Sequence, residues 1–153
     1  MTIPVSTVPA VMKYLQSEII TQIADTTVLV TYGPPGTNQP RDIVAVMGFE
    51  ARDVKPQAFV GSGAQHWLYE SYEIEVIVSV FRGGATDIAE SCFERAMTLL
   101  SAVETAVRND PSLGNNVLEA YPQHVAKSDA FWDPEHKGFV VEMSLLIHCE
   151  AEI

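Results

Sequence analysis

Near the start of the chain, apolar residues recur at steps of three and four, the spacing of one face of an α-helix. The recurring positions are Val8, Val11, Met12, Leu15, Ile19 and Ile23. Ser6 and Thr7 precede Pro9, which is typical of a helix start. The pattern predicts an amphipathic helix that ends near Asp25 and buries one face.

The same spacing returns in the second half of the chain. The positions predicted to share a buried face are Ile88, Cys92, Phe93, Ala96, Leu99, Leu100, Val103 and Val107. Asp87, with Glu90 three residues later, fits a capping box at the helix start. We expect this second helix to end before Pro111.

Two long segments alternate between faces with a period of two, which predicts strands. In 68–81, one face carries Tyr72, Ile74, Val76, Val78 and Val80, and the other Glu73, Glu75, Ile77, Ser79 and Phe81. In the last segment, one face carries Phe139, Val141, Met143, Leu145, Ile147, Cys149, Ala151 and Ile153. The other face carries Val140, Glu142, Ser144, Leu146, His148, Glu150 and Glu152.

Three shorter segments also favour strands. Residues 26–32 are mostly β-branched and end at Gly33-Pro34-Pro35-Gly36, where two prolines lack the N–H group of a ladder. Residues 42–47 predict a second short strand. In 117–126, Pro122 indicates an edge strand or a bulge.

The two remaining connections are predicted as loops. We interpret 48–67 as a loop or extended arm with a short strand near 58–60, and 127–138 as a loop or hairpin tip. The order of elements predicts a single α+β domain over 1–153. In it, a mainly antiparallel sheet carries both helices on one face as a two-layer sandwich.

Apolar residues also occur on the predicted second face of the sheet. Ile77, Phe81, Val140 and Leu146 lie there among glutamates. Scattered apolar residues are normal on a protein surface, and that interpretation stays open. The alternative is that these four residues contribute to a subunit interface.

The chain is strongly acidic, with 9 Lys and Arg against 20 Asp and Glu and a net charge of −11. It lacks the clustered basic residues that tight binding of DNA or RNA requires. The charge serves solubility, or repels DNA that passes beside the protein. We interpret Cys92 and Cys149 as reduced and buried. Neither a secretory signal nor an apolar stretch of membrane-spanning length is apparent.

Candidate chemistry is sparse. Gly33-Pro34-Pro35-Gly36-Thr37 resembles the start of a phosphate-binding loop, but the required lysine is missing. Glu73 and Glu75 share one strand face and could perform acid-base chemistry in a small hydrolase, but an exposed acidic sheet face is the default explanation. The loop residues Asp129, Asp133, Glu135 and His136 could hold a cation, but their spacing fits no known loop. We predict no catalytic, cofactor-binding or metal site, and no enzyme.

The layout resembles the tail terminator proteins of long-tailed, siphovirus-like bacteriophages. The similar segments are the first helix leading into Val28-Leu29-Val30-Thr31-Tyr32-Gly33-Pro34-Pro35, the strand start Tyr72-Glu73-Ile74-Glu75-Val76, the helix end Val103-Glu104-Thr105-Ala106-Val107-Arg108-Asn109-Asp110-Pro111-Ser112-Leu113-Gly114, and the strand 140–153. Such sequences often continue Leu-Gly with a second glycine, where this chain has Asn115-Asn116.

The resemblance implies a ring, most often hexameric, at the head-proximal end of the tail tube in the virion, assembled in the host cytoplasm. Its expected partners are further copies of itself, the major tail tube protein and the head-tail connector or stopper protein. DNA would pass through the lumen without specific binding, and no membrane or cofactor is expected. The alternatives are a head-tail connector, head-closure or tail tube subunit, a small hydrolase, or a monomeric binding module.

Overall fold

The structure, a computed structural model, describes residues 6–36, 42–56, 68–84 and 88–153. In chain order its elements are α1 (Val8–Ile23), β1 (Leu29–Tyr32), β2 (Ile43–Pro56), β3 (Leu68–Gly83), α2 (Ala89–Asn109), β4 (Glu119–Asp133) and β5 (Gly138–Glu152). The predicted order of helices and strands is confirmed. Among the helices of the described part, none is both long and apolar enough to span a membrane.

The five strands form one sheet in the order β1-β2-β3-β5-β4. The pairs β2–β3, β3–β5 and β4–β5 are antiparallel, whereas β1 and β2 are parallel. The fold is therefore α+β with a mainly antiparallel sheet, as predicted, and the parallel pair is an addition to that prediction. β1 and β4 are the two edge strands.

One face of the sheet contributes to the hydrophobic core. Alternate residues of β3, from Tyr72 to Val80, are buried in one cluster with Leu15 and Ile19 of α1 and with Leu99 of α2. The predicted alternation is confirmed in β3, whereas in β5 Val140, Ser144 and Leu146 of the second face are buried as well. Cys92 and Cys149 are both free thiols buried in this core, as predicted.

A buried carboxylate of β3 holds the start of α1. Glu70 accepts hydrogen bonds from the Ser6 hydroxyl and from the backbone N–H of Thr7 at 3.2 Å, and it pairs with Arg52 Nε at 3.1 Å. The Thr7 hydroxyl lies 2.7 Å from the Tyr72 hydroxyl and does not cap its own helix. A strand residue distant in sequence therefore satisfies a helix N-terminus, which binds negative charge favourably.

The second helix differs from its prediction in two respects. It begins at Ala89 and has no side-chain cap from Ile88, while the predicted cap Asp87 lies outside the described residues. Phe93 was predicted to be buried, and this is wrong, because its side chain is 44% exposed. It follows the buried Cys92 by one residue, about 100° around the helix, which places it at the margin of the buried face.

Both segments predicted as loops are partly strand, so a loop is wrong for 48–56 and for 127–133. The alternative of a hairpin tip is confirmed at 134–137, between β4 and β5. β2 continues to Pro56 and β4 to Asp133. Every residue from Phe49 to Pro56 is exposed, so no buried face imposes the alternation from which strands are predicted. The short strand expected near 58–60 lies outside the described residues.

The prediction for Pro122 is confirmed. β4 is an edge strand, and its pairing with β5 shifts register between Pro122 and His124 and again between Val125 and Lys127. Beyond these bulges, Ser128 to Asp133 pairs with β5 without interruption. The result is a long hairpin of β4 and β5.

Candidate functional site

The candidate surface is the face of the sheet opposite the core, which we call the open face. Its central residues are Glu73, Glu75, Ile77, Ser79 and Phe81 of β3 and Val140, Glu142, Ser144, Leu146 and His148 of β5. These residues pair across the two strands in the predicted alternation. The open face therefore follows directly from the sequence pattern.

The four predicted interface residues lie on this face but differ in exposure. Phe81 pairs with Val140, which pairs in turn with Phe131 of β4, so three apolar residues form one cross-strand row. Val140 and Leu146 are only 8% and 5% exposed within the single chain, whereas Ile77 and Phe81 are half-buried. Ile77 and Phe81 thus offer more area to a neighbour, and the interface stays a prediction.

The opposite end of the open face is acidic. One cross-strand row contains Glu119, Glu150 and Ser71, and the next contains Glu152 opposite Tyr69. The apolar row near the β4–β5 turn and these acids lie at opposite ends of the sheet. The face is therefore amphipathic along the strand direction.

His148 lies between the two ends. Its Nε2 is 3.4 Å from a Glu150 carboxylate oxygen, and its ring packs against Tyr121 with centroids 5.2 Å apart. Its Nδ1 is buried without a hydrogen-bond partner in the described part of the chain. Cys149 points to the core on the opposite side of the strand, so His148 and Cys149 form no nucleophile-base pair.

The acidic cluster at the β4–β5 turn has a structural explanation. Asp133, Glu135 and His136 bring their ligand atoms within 4.8 Å of one another. Asp129 lies further along the hairpin, opposite Glu142 in the strand register. Asp133 accepts backbone N–H groups of Glu135 at 3.0 Å and His136 at 3.3 Å. The His136 ring, 2.8 Å away, is the main cause that lowers the pKa of Asp133. These contacts are those of a turn stabilised by its aspartate.

Glu73 and Glu75, the two carboxylates considered for acid-base chemistry in a hydrolase, do not line a groove that lies in the described part of the chain. Glu75 accepts a hydrogen bond from Ser144 at 2.9 Å, and Glu73 lies opposite His148. A groove of about 570 Å³ is lined instead by Asp53, Lys55, Pro56, Tyr69, Glu70, Ser71, Leu118, Glu119 and Glu150. Glu73 and Glu75 therefore remain neighbours on an open sheet face.

A polar contact joins the two helices. The Tyr14 hydroxyl donates to Asp110 at 2.5 Å, and this bond is the first cause that lowers the pKa of Asp110 to about 2. The same bond raises the pKa of Tyr14 to about 12. Asp110 also accepts from the Ser112 hydroxyl and from the backbone N–H of Gly114. These shifted pKa values belong to a contact that fixes the end of α2 to α1.

The exposed Phe131 and Tyr121 of the hairpin were not predicted from the sequence, whereas Trp132 was predicted as either an interface anchor or a loop-packing residue. Phe131 and Trp132 are each 44% exposed, and Tyr121 is 45% exposed. Trp132 meets the ring of Phe139 edge-on at 6.1 Å but keeps its outer side accessible. Since Phe131 and Trp132 are consecutive in a strand, they point to opposite faces. The prediction of a loop or hairpin tip over 127–138 assigned these side chains to no strand face.

No protein-family model matches the chain. No curated protein matches it. Its structure is similar to one chain of a solved structure described as "Virion of native gene transfer agent (GTA) particle", with a TM-score of 0.38 and 16% sequence identity over 93% of this chain and 98% of that chain. A similarity at this level carries no argument about fold or function. The class that the structure itself defines is an α+β domain with an amphipathic open sheet face.

Proposed function

We propose that this chain is a structural protein of a bacteriophage virion, the tail terminator, whose copies form a ring at the head-proximal end of the tail tube. A hexamer is the expected form, from the sequence resemblance. The ring stops polymerisation of the tube and joins the tail to the head connector. The observation that carries the proposal is the amount of large apolar surface left outside the core.

Part of this surface lies on the β4–β5 hairpin and on α2. Phe131, Trp132 and Tyr121 lie on the hairpin, and the exposed Phe93 and Met97 are one turn apart on α2, where they are neighbours on the helix surface. Exposed apolar patches mark interaction sites in soluble proteins. Burial of such surface contributes roughly 25 cal/mol per Å², so each covered aromatic side chain stabilises an assembly appreciably.

The open face supplies the proposed contact between neighbouring copies, through Ile77 and Phe81 with Val140 and Leu146. A neighbouring copy that covers Phe81, Val140 and Phe131 would bury a cross-strand apolar row that already exists in the single chain. Ile77 and Phe81 are the half-buried members, so they provide most of the area gained on assembly. Val140 and Leu146 support them from within the chain.

Ring formation explains termination without a chemical reaction. A contact between two different surfaces of one subunit closes when its rotation completes a circle, whereas a contact that does not close produces a filament. One side of the closed ring would then bind the last ring of the tail tube protein, and the other the connector or stopper protein. The net charge of −11 per chain supports a lumen that repels the phosphate backbone, so that DNA passes without specific binding.

A tube-length assay tests this function. The probe is the major tail tube protein of a long-tailed phage, polymerised with and without the purified chain. We expect tubes polymerised with the chain to be capped at one end and to stop growing there. Tubes that grow equally at both ends and bind none of the chain would contradict the proposal.

A further inference from the structure

We propose that the ion pair of Arg52 and Glu70 couples an exposed arm of β2, residues 49–56, to the first turn of α1. Order in either segment then depends on order in the other, although the two segments are distant in sequence. This coupling belongs to the single folded chain and does not depend on the proposed ring.

The arm buries little surface of its own. Every residue in it is exposed, and among the described strands it pairs with β3 alone. Segments with few buried apolar contacts and an exposed ladder open more easily than the core of a protein. The order of the arm therefore depends on side-chain contacts with the rest of the chain as well as on its ladder.

A β-bulge in the arm directs Arg52 towards the core side of the sheet. The pairing of β2 with β3 shifts register between Glu50 and Asp53. Ala51 and Arg52 therefore both lie opposite one residue of β3, Tyr72, whose side chain is in the core. Ala51 has φ of 52°, in the left-handed region that favours glycine, so the bulge holds a strained residue. A bulge re-aims the side chain beside it, and here that side chain is an arginine.

Glu70 binds this arginine and the start of α1 with one carboxylate. Arg52 Nε lies 3.1 Å from a Glu70 oxygen, and the arginine side chain is 33% exposed whereas the carboxylate is fully buried. The same oxygen accepts the Ser6 hydroxyl, and the second oxygen accepts the backbone N–H of Thr7 at 3.2 Å. The Thr7 hydroxyl also lies 2.7 Å from the hydroxyl of Tyr72, opposite the bulge. The arm and the first turn of α1 thus meet at Glu70.

The shared carboxylate transmits a change from one segment to the other. A buried charge that loses its cation is strongly destabilised, so it moves towards water or takes up a proton. Either response weakens the bonds from Ser6 and Thr7 and loosens the first turn of α1. Conversely, a first turn that frays exposes the pair of Arg52 and Glu70 to water, where an ion pair stabilises little.

Coupling between two sites acts equally in both directions. A molecule that captures the accessible guanidinium of Arg52 would therefore loosen the start of α1. A molecule that orders the arm and leaves Arg52 in place would stabilise the start of α1. The arm is thus the segment through which a contact on β2 reaches the first helix.

Hydrogen exchange of the purified chain, followed by mass spectrometry, tests the coupling. Arg52→Gln removes the cation from the arm and changes no residue of α1. We expect the amides of the arm and of the first turn of α1 to exchange about tenfold faster or more. The first turn includes Val11, whose N–H donates to the Thr7 carbonyl at 3.0 Å. Lys55→Gln is the matched control, because Lys55 is an exposed cation of the same arm that pairs with Asp53.

A substitution in α1 tests the reverse direction. Ser6→Ala removes one hydrogen bond to Glu70 and should speed exchange in the arm. Because Ser6 and Arg52 act on one carboxylate, the double variant should change the free energies of opening by less than the sum of the single variants. Thr21→Ala, which removes an exposed hydroxyl near the other end of the same helix, is the control and should leave the arm unchanged.

Two substitutions of Ala51 test the bulge without altering the ion pair. Ala51→Gly keeps the left-handed conformation without strain, so both segments should stay at least as protected as in the unaltered chain. Ala51→Val places a β-branched side chain where φ is positive, which disfavours the bulge. We expect this variant to speed exchange in both segments, as Arg52→Gln does.

Two results would overturn the inference. One is faster exchange of the arm alone in Arg52→Gln, with the first turn of α1 unchanged. The other is an equal increase in α2, because exchange that rises across the whole chain reports global unfolding and no local coupling.

Discussion

The carboxylate of Glu70 supports the start of α1 from a strand distant in sequence. This carboxylate satisfies Ser6, the Thr7 backbone and Arg52 from a fully buried position. The strand itself was predicted from alternation, but this role was not. Alternation identifies which face a residue occupies, whereas the approach of a helix end distant in sequence depends on the tertiary fold.

Glu70→Gln should therefore destabilise the chain by about 1–3 kcal/mol, since a buried charged acceptor is lost while its donors remain. The measurement is urea unfolding. Glu73→Gln is the matched control on the open face of the same strand, and it should change the free energy of unfolding little. Equal losses in the two variants would contradict the role given to Glu70.

The contact between Tyr14 and Asp110 predicts a pH dependence at two ends. The folded chain lowers the pKa of Asp110 from 3.8 to about 2, so this contribution to stability is present above pH 3.8 and is lost as pH falls towards 2. It raises the pKa of Tyr14 from 10.0 to about 12, so that contribution is present below pH 10 and is lost as pH rises through 12.

Tyr14→Phe should cost about 1–2 kcal/mol near neutral pH, because it removes a hydrogen bond to a charged acceptor. The difference from the unaltered chain should shrink below pH 3.8 and above pH 10. Asp110 keeps its bonds to Ser112 and Gly114, so part of the acid dependence remains. Free energies of unfolding across the pH range measure this, and a constant difference at all pH values would contradict it.

One departure from the resembled sequences is explained by backbone conformation. Where those sequences often place a second glycine, Asn115 has φ of 63° and follows Gly114 with φ of 71°. Asparagine adopts this left-handed conformation more readily than most residues. The change therefore preserves the turn that leads from α2 towards β4.

At the scale of elements, the β4–β5 hairpin is fixed to β3 by a close approach at Gly138. A Cβ atom at Gly138 would lie 2.4 Å from the Phe81 ring and 2.6 Å from the backbone oxygen of Arg82. The ring could move, but the backbone oxygen belongs to the paired strand β3. The start of the hairpin's second strand therefore requires glycine.

Gly138→Ala should destabilise the chain by about 1–3 kcal/mol through overpacking. Gly48→Ala is the control, because a Cβ there meets nothing within 4 Å. Thermal or urea unfolding compares the two variants. A neutral Gly138→Ala would show that β3 and β5 are less closely packed at this end.

The elements that were predicted correctly are those with one buried face. α1 and β3 follow their apolar periodicity closely, and the core face of β5 does the same. The ends of β2 and β4 escaped prediction because they are exposed on both sides and held by pairing with a neighbouring strand. Of the candidate site, the open face was predicted, but the exposed Phe131 was not.

At the scale of the whole molecule, the proposed interface predicts that one substitution weakens assembly more than it weakens folding. A chain that stays monomeric would not show this difference. Ile77→Asp should weaken assembly strongly and the folding of the chain only modestly, since Ile77 is half-buried. Thr98→Asp adds the same charge on the exposed side of α2 and is the control. Light scattering measures the assembly and urea unfolding the stability. An unchanged assembly mass for Ile77→Asp would remove Ile77 from the interface.

Leu146→Asp is a weaker test of the same surface. Leu146 is only 5% exposed in the single chain, so a charge there destabilises the fold of the chain as well as any contact between copies. A lower assembly mass in Leu146→Asp could therefore come from a less stable fold or from a weaker contact between copies. The Ile77→Asp variant distinguishes these two causes.

We propose that copies of this chain close into a ring that caps a tail tube. Negative-stain electron microscopy of the purified chain mixed with tail tubes measures this directly. We expect closed rings with one constant number of subunits, seated at one end of each tube. Tubes with both ends bare, beside a chain that remains monomeric, would contradict it.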